Sequence, residues 1–237
     1  MPAQPAPADS QTCRWHGVAD LSALHRAVAA RVLAAERRAL RERGRFVVVL
    51  AGGNTPRGAY ELLRQAPASW PAWQVYFGDE RCAPIGDPER NSRMARSAWL
   101  DHVAIPSANV HEIPTELGPS EAARRYAAAL DEIGRFDLVL LGLGEDGHTA
   151  SLFPGHDLGR GPESASAMPV FDAPKAPPER VTMSARRLSA TAEAVFMAFG
   201  AEKRAAVDSW RAGAPVPASF IVPETGVDVF VGADLLR

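Results

Sequence analysis

Residues 136–143 read FDLVLLGL, and this run predicts the central strand of a buried sheet. An unbroken apolar stretch of this length is typical of a strand that is covered on both faces, as in parallel sheets. Comparable runs predict further strands at residues 46–50, 74–77, 181–184, 194–199 and 227–231.

Helices are predicted between these strands. The first carries apolar residues at helical spacing over residues 21–39 and ends at Gly44, since glycine readily adopts the conformation that ends a helix. Others are predicted at residues 56–65, 91–101, 120–133 and 202–211. Strands that alternate with helices indicate an α/β protein with a mostly parallel central sheet flanked by helices. Proteins of this class bind ligands beyond the carboxyl ends of their strands, so we expect the chemistry in the loops after residues 50, 77 and 143.

These elements fill residues 14–237, which we interpret as a single α/β domain. Residues 1–13 read MPAQPAPADSQTC and predict a flexible N-terminal tail. They have neither the basic start nor the apolar core of a secretion signal, so we expect a cytoplasmic protein.

The composition excludes several classes of function. The net charge is -2, from 26 basic and 28 acidic residues, which gives no global attraction to nucleic acid or to an anionic membrane. The longest stretch without charge, residues 65–78, is too short to span a bilayer and contains two prolines. Cys13 and Cys82 are too few for a disulfide framework or a thiolate zinc site.

The loop after the strand at residues 46–50 contains Gly52, Gly53, Asn54 and Thr55. Two glycines let the backbone approach a ligand closely, and the helix that follows presents free amides and the positive end of its dipole. This combination favours an anion such as phosphate. A double glycine in this position is also compatible with a simple tight turn.

Three charged residues, Asp79, Glu80 and Arg81, follow the strand at residues 74–77. They either form a solvated turn or hold Arg81 against a developing oxyanion or a phosphate. Cys82 is a conceivable nucleophile beside Arg81, but a buried and inert thiol is the favoured interpretation.

The loop at residues 143–155 reads LGEDGHTASLFPG and contains the strongest catalytic candidate, His148. Histidine titrates near neutrality, which suits a general base, and Asp146 is close enough to orient the imidazole. A metal site formed by His148, Asp146, Asp79 and Glu80 ranks low, because it would combine one imidazole with carboxylates from separate loops.

Together, these loops carry a family resemblance. The segments AGGNTPRGAYELL (51–63), VYFGDERCAP (75–84), DLVLLGLGEDGHTASLFPG (137–155), APKAPPERVT (173–182) and GAEKR (200–204) resemble the 6-phosphogluconolactonase family. That family belongs to the glucosamine-6-phosphate isomerase/deaminase superfamily. The resemblance implies a Rossmann-like fold similar to glucosamine-6-phosphate deaminase. It also implies hydrolysis of 6-phospho-D-glucono-1,5-lactone to 6-phospho-D-gluconate, without a metal or another cofactor.

The chain departs from the family pattern at a few positions. Ala51 and Asn54 stand where the family usually has serines in the first loop, and Arg90-Asn91 stands where it often has Ser-Asn. Ala176 also interrupts a Pro-Lys-Pro-Pro run. The loss of two hydroxyl groups makes a cationic phosphate ligand more necessary in this chain.

Only two of the basic residues are lysines, Lys203 and Lys175. Lys203 follows the strand predicted at residues 194–199 and is our first candidate for the phosphate. Arg180 and then Lys175, both in the Pro-rich segment, are the next candidates. The resemblance places Arg81 in the site, either at the lactone carbonyl or at the phosphate.

Two alternative functions stay open. One is a sugar-phosphate isomerase or deaminase of the same fold, and the other is a sugar-phosphate sensor without turnover. Sensors of the second kind usually carry a DNA-binding helix-turn-helix, for which residues 1–45 offer no basic recognition helix. We expect a monomer or a weak homodimer whose partner is a small sugar-phosphate lactone.

Overall fold

A sheet of seven parallel strands forms the centre of the fold, as the computed structural model of residues 11–237 shows. Residues 1–10, most of the predicted tail, lie outside the described part of the chain. The ten described strands are β1 Cys13–Val18, β2 Phe46–Leu50, β3 Trp73–Phe77, β4 Asp79–Arg81, β5 Val110–His111, β6 Leu138–Gly142, β7 Ala167–Val170, β8 Arg180–Met183, β9 Ala194–Ala198 and β10 Val227–Gly232. The described α-helices are α1 Leu21–Arg43, α2 Asn54–Leu63, α3 Asn91–Ala98, α4 Pro119–Asp131, α5 Ala185–Ser189 and α6 Arg204–Arg211.

The order of the strands determines where a ligand can bind. The large sheet has the order β1-β10-β9-β6-β2-β3-β5, so the chain runs outward from β2 in one direction and from β6 in the other. The direction of winding therefore reverses between β2 and β6. A crevice forms at such a point, outside the carboxyl ends of the strands. The predicted parallel α/β fold is confirmed.

A small antiparallel sheet, β4-β8-β7, lies beside the large one and was not predicted. The charged residues that we assigned to a loop form β4, in which Asp79 pairs with Thr182 and Arg81 pairs with Arg180. Residues 181–184 were expected as a strand of the parallel sheet, but β8 instead runs antiparallel between β4 and β7. This sheet brings Arg81 and Arg180 side by side.

The predicted boundary of the tail is wrong at its last three residues. Gln11 is held by hydrogen bonds from its side-chain nitrogen to the carbonyls of Ala218, at 2.9 Å, and Ile221, at 2.5 Å. Cys13 begins β1, which pairs with β10 along its whole length. These residues are part of the folded structure.

The helices follow the predicted pattern, with shifted ends. α1 buries its apolar stripe at Leu24, Val28 and Val32 against the sheet, and it ends at Gly44, which has φ of 68°. α2 begins two residues before the prediction, at Asn54, with Pro56 in its first turn. A proline is tolerated there because amides in the first turn have no partner within the helix.

Candidate active site

A cleft of about 300 Å³ opens at the point where the winding reverses, between the carboxyl ends of β2, β3 and β6. Ten of the predicted site residues line it: Gly52, Gly53, Asn54, Thr55, Asp79, Arg81, His148, Lys175, Arg180 and Lys203. The eleventh, Asp146, contacts His148 from outside the cleft wall. The fold therefore brings together candidates from distant parts of the sequence.

Two buried tyrosines fix the strand ends at the floor of this cleft. The Tyr60 hydroxyl accepts a hydrogen bond from the amide of Ala51, at 3.0 Å, and donates one to its carbonyl, at 2.9 Å. The Tyr126 hydroxyl does the same with Phe77, at 2.9 and 3.0 Å. Burial raises the pKa of both tyrosines, so each hydroxyl stays protonated and keeps both hydrogen bonds. The backbone is therefore fixed where the glycine-rich loop begins, at Ala51, and where β3 ends before β4, at Phe77.

The N-terminus of α2 points its free amides toward the cleft. The residue before the helix, Gly53, has φ of 99° and offers no side chain to cap the first turn. Residues 50–56 line the cleft. Uncapped amides and the positive end of a helix dipole favour an anion, and the predicted phosphate loop presents both to the cleft.

His148 and Asp146 form a hydrogen-bonded pair. The Nδ1 atom of His148 lies 2.5 Å from Asp146 Oδ1, which also accepts the backbone amide of His148 at 3.1 Å. A carboxylate at Nδ1 selects the tautomer with the proton on that atom and leaves Nε2 free to accept a proton. The ring rests against Phe153, and Gly144 provides the space for it, because a Cβ there would lie 2.0 Å from Nδ1.

The pKa values of this pair suit a general base. Burial, aided by the positive charge of Lys175, lowers the pKa of His148, and the net shift is downward although Asp146 and Asp79 act in the opposite direction. For Asp146, partial burial raises the pKa, but the hydrogen bonds from His148 outweigh it and the net shift is downward. At neutral pH the imidazole is therefore neutral and the carboxylate is charged.

Asp79 is buried at the edge of the cleft, and both of its oxygens are occupied. Oδ2 accepts a hydrogen bond from the Ser151 hydroxyl at 2.6 Å, and Oδ1 accepts one from the Asn91 amide at 3.0 Å. Ser151 belongs to the same loop as His148. Asp79 therefore connects β4 to the loop that carries the candidate base.

The four cations that line the cleft differ in what they already bind. Arg81 donates to the carbonyl of Glu89, and Lys175 lies 3.8 Å from Glu145. Arg180 donates to three backbone carbonyls of the Pro-rich segment, those of residues 175, 176 and 177. Among residues 11–237, Lys203 has no ion pair and no side-chain hydrogen bond.

Other chemistries find less support among the described residues. Burial raises the pKa of Cys82 to about 11, so the thiol is protonated and a poor nucleophile at neutral pH. Residues 11–237 contain no group of three or more His, Cys, Asp or Glu side chains placed to hold a metal ion. In the same part of the chain, no helix has the length and apolar character needed to cross a bilayer.

Sequence reasoning missed several residues that build the site. Asn91 and Ser151 hold Asp79, while Tyr60 and Tyr126 hold the strand ends. Each of these four residues acts on a partner at least nine positions away, and no local pattern in the sequence marks such a contact.

Known proteins resemble this chain over most of its length. The family described as glucosamine-6-phosphate isomerases/6-phosphogluconolactonase matches residues 19–230. The 6-phosphogluconolactonase of Nostoc is 34% identical over 219 residues, which are 83% of this chain and 88% of the relative. The human 6-phosphogluconolactonase is 37% identical over 198 residues, 78% of this chain and 76% of the human one.

Two further matches extend the comparison. A 6-phosphogluconolactonase of Synechocystis is 48% identical over 126 residues, 49% of this chain and 52% of the relative. Among solved structures, 6-phosphogluconolactonase from Thermotoga maritima has a TM-score of 0.85 at 28% identity, covering 93% of this chain and 100% of that one. The family match over residues 19–230 includes every residue that lines the cleft.

Proposed function

The chain belongs to the glucosamine-6-phosphate isomerase/6-phosphogluconolactonase family, and from this premise we propose that it hydrolyses 6-phospho-D-glucono-1,5-lactone to 6-phospho-D-gluconate. This is the second step of the oxidative pentose phosphate pathway. The observation that carries the proposal is the His148–Asp146 pair, whose free Nε2 belongs to a neutral imidazole in the cleft that the N-terminus of α2 also lines. A lactone is an activated ester, so hydrolysis needs a general base and stabilisation of the oxyanion but no covalent nucleophile.

The reaction runs through one tetrahedral intermediate. Nε2 of His148 takes a proton from water while the water oxygen attacks C1, and the carbonyl electrons move onto the carbonyl oxygen. When the carbonyl re-forms, the bond between C1 and the ring oxygen breaks. The imidazolium returns its proton to that oxygen, which becomes the hydroxyl group at C5. The carboxylic acid formed at C1 then loses its proton to solvent.

Arg81 and Asp79 support this chemistry from β4. A guanidinium near the carbonyl stabilises the charge that develops on its oxygen, and it can equally hold the phosphate. Kinetics of Arg81→Ala separate the two roles: a lower kcat alone indicates stabilisation of the transition state, and a higher KM alone indicates uniform binding. A variant that is normal in both constants would remove Arg81 from the site. Asp79, fixed by Ser151 and Asn91, places its carboxylate in the wall of the same cleft as Arg81.

The phosphate binds at the N-terminus of α2. Amides from Gly52 to Thr55 supply hydrogen bonds but no full charge, so a cationic side chain must complete the site. Lys203 is the best candidate, because among residues 11–237 it is the lining cation without a protein partner, as the hydrogen bonds and ion pairs of the other three show. Arg180 and Lys175 remain the second and third candidates.

The decisive experiment measures hydrolysis of the lactone by the wild type and His148→Ala, after subtraction of the spontaneous rate. Loss of a positioned base lowers kcat by about 10²–10⁴-fold. Binding of 6-phosphogluconate, followed by calorimetry, should stay close to the wild-type value. The matched control is His102→Ala, which removes an exposed histidine whose ring lies 3.0 Å from the Ser97 carbonyl. Wild-type turnover in His148→Ala would overturn the mechanism.

The alternative functions have direct tests. An isomerase or deaminase of this family would convert glucosamine-6-phosphate, so the wild type is assayed on that substrate beside the lactone. A sensor would show a thermal shift with 6-phosphogluconate and no hydrolysis of the lactone. A cytoplasmic location, and a monomer or weak homodimer, stay predictions from the sequence that cell fractionation and light scattering can check.

A further inference from the structure

The side chain of Asn91 lies between the phosphate loop and β4, and we propose that it is a positioning residue for the reaction. It contacts both the carboxylate of Asp79 and the backbone at Gly52. It thereby fixes the position of Asp79, which bonds to the loop of His148, relative to the phosphate loop. This inference rests on the proposed function. It concerns a residue that touches both halves of the site and is itself almost completely buried, with 3% of its surface exposed.

The hydrogen bonds of Asn91 leave it no donor for a substrate. Its side-chain nitrogen donates to the Asp79 carbonyl at 2.9 Å and to Asp79 Oδ1 at 3.0 Å. An amide nitrogen has two N–H groups, so both are used. Asn91 therefore acts through Asp79, whose other oxygen is bound by Ser151 from the loop of His148.

The fit between Asn91 and Gly52 is the second observation. A Cβ added to Gly52 would lie 1.8 Å from Asn91 Oδ1 and 2.2 Å from its Cγ. The backbone of the phosphate loop thus rests directly on the Asn91 side chain. Only glycine allows this approach, although the backbone conformation at Gly52 is one that other residues can adopt.

The side chain of Glu80 holds the backbone of Asn91 in place. Its fully buried carboxylate accepts hydrogen bonds from the amides of Asn91 at 2.6 Å, Ser92 at 2.8 Å and Arg81 at 2.9 Å. Asn91 and Ser92 are the first residues of α3, so this carboxylate also lies at the positive end of the helix dipole, where a negative charge is favourable. The start of α3 is therefore anchored to β4, and Asn91 has little freedom to move.

The kinetic test compares Asn91→Ala and Asn91→Asp with the wild type, on 6-phosphogluconolactone and on plain gluconolactone. Asn91→Ala frees Asp79 and removes the support under Gly52. We expect kcat to fall about tenfold or more on both substrates, because this is the usual effect of losing a hydrogen bond to a charged group. We expect KM to rise for the phosphorylated substrate. Asn91→Asp keeps the shape against Gly52 but loses the donors, so kcat should fall while KM stays near the wild-type value.

The pH dependence of Asn91→Asp gives a signature that a purely structural role would not produce. Two carboxylates about 3.0 Å apart cannot both ionise easily and share a proton instead. A shared proton restores one of the two lost hydrogen bonds, the one to Asp79 Oδ1. The kcat of Asn91→Asp divided by that of the wild type should therefore rise as the pH falls. The ratio is taken at pH values where His148 is neutral in both proteins, because Asp79 contributes to the pKa of His148 and the new carboxylate changes that contribution.

Asn109→Ala is the matched control. It removes an asparagine whose side chain donates to the Pro71 carbonyl, at 3.1 Å, and does not line the cleft, so both kinetic constants should stay unchanged. If the wild type hydrolyses the lactone and Asn91→Ala matches it in kcat and KM, the positioning role is wrong while the proposed function stands. If the wild type has no activity, the proposed function is wrong.

Thermal unfolding tests the contact independently of activity. Gly52→Ala alone must displace the Asn91 side chain, whereas the added Cβ finds that space empty in Gly52→Ala/Asn91→Ala. Gly52→Ala should lower Tm clearly when it is compared with the wild type. The double variant should lose much less Tm when it is compared with Asn91→Ala. An equal loss in both backgrounds would overturn the proposed support of the phosphate loop by Asn91.

Discussion

Asp146→Asn is the most informative single substitution, because it changes the charge next to His148 and preserves the shape of the loop. The Oδ1 atom of asparagine can still accept the backbone amide of His148, as the carboxylate does at 3.1 Å. What changes is the contact with Nδ1, now 2.5 Å. If the new amide presents its nitrogen to the ring, the proton moves to Nε2 and the base is lost. If it presents its oxygen, the imidazolium formed during the reaction loses its counter-charge.

The size of the effect follows from that contact. A hydrogen bond to a charged group contributes about 1.5–3 kcal/mol, and its loss corresponds to a fall in kcat of about ten- to a hundredfold. A reversed tautomer would add to this loss. The pKa of His148 should also fall further, because the Asp146 charge now raises it. The base then stays neutral to a lower pH, so the acid limb of the profile moves down.

The assay measures kcat on 6-phosphogluconolactone from pH 5 to 8, corrected for spontaneous hydrolysis. Asp101→Asn is the matched control, since it makes the same change at an exposed carboxylate that pairs with Arg96 and does not line the cleft. The control should stay within about twofold of the wild type, as is usual for the loss of an exposed ion pair. A normal kcat in Asp146→Asn, or an acid limb displaced to higher pH, would refute the assigned roles of the pair.

Further predictions concern other parts of the site. In the wild type the acid limb of kcat/KM should have its midpoint below about pH 6.5, because burial lowers the pKa of His148 and activity is lost when the imidazole protonates. A midpoint above that pH would contradict the assignment. Lys203→Ala should lower kcat/KM about ten- to a hundredfold on the phosphorylated lactone and leave plain gluconolactone unaffected, whereas an equal loss on both would assign it to the fold or the chemistry. Tyr60→Phe should reduce the free energy of unfolding in urea by about 1–3 kcal/mol, because both polar groups of Ala51 lose their partner, and an unchanged stability would show that water replaces the hydroxyl. Cys82→Ala should keep full activity, and a large loss would revive the thiol as a nucleophile.

Local patterns in the sequence were sufficient for the central part of the fold. The run FDLVLLGL predicts a strand, and β6 Leu138–Gly142 lies within it. The glycines after β2 and the histidine after β6 are found at the edge that the α/β pattern predicts, and they line one cleft. These features are readable because hydrophobic periodicity and glycine at a strand end depend on neighbouring residues alone.

The missed elements have the opposite character. β1, with the sequence CRWHGV, alternates polar with apolar residues at the edge of the sheet, and its Arg14 and His16 are held by Asp228. β4 consists of three charged or polar residues, and it becomes a strand because β8 pairs with it. Such short strands lack an apolar run, so their pairing depends on partners that are far away in the sequence.

The cleft shows the same division. The sequence by itself determined which residues are the candidates for the chemistry, since the type and spacing of a histidine, a carboxylate and a glycine-rich loop indicate a base and an anion site. Only the tertiary structure decided which of these groups are free to act. Arg180 is bound to carbonyls of its own segment, while Lys203 is unpaired among residues 11–237, and Asn91 supports Asp79 and Gly52 together. The physical reason is that the partner of a polar side chain is set by the order of the strands, which brings distant segments within 3 Å of each other.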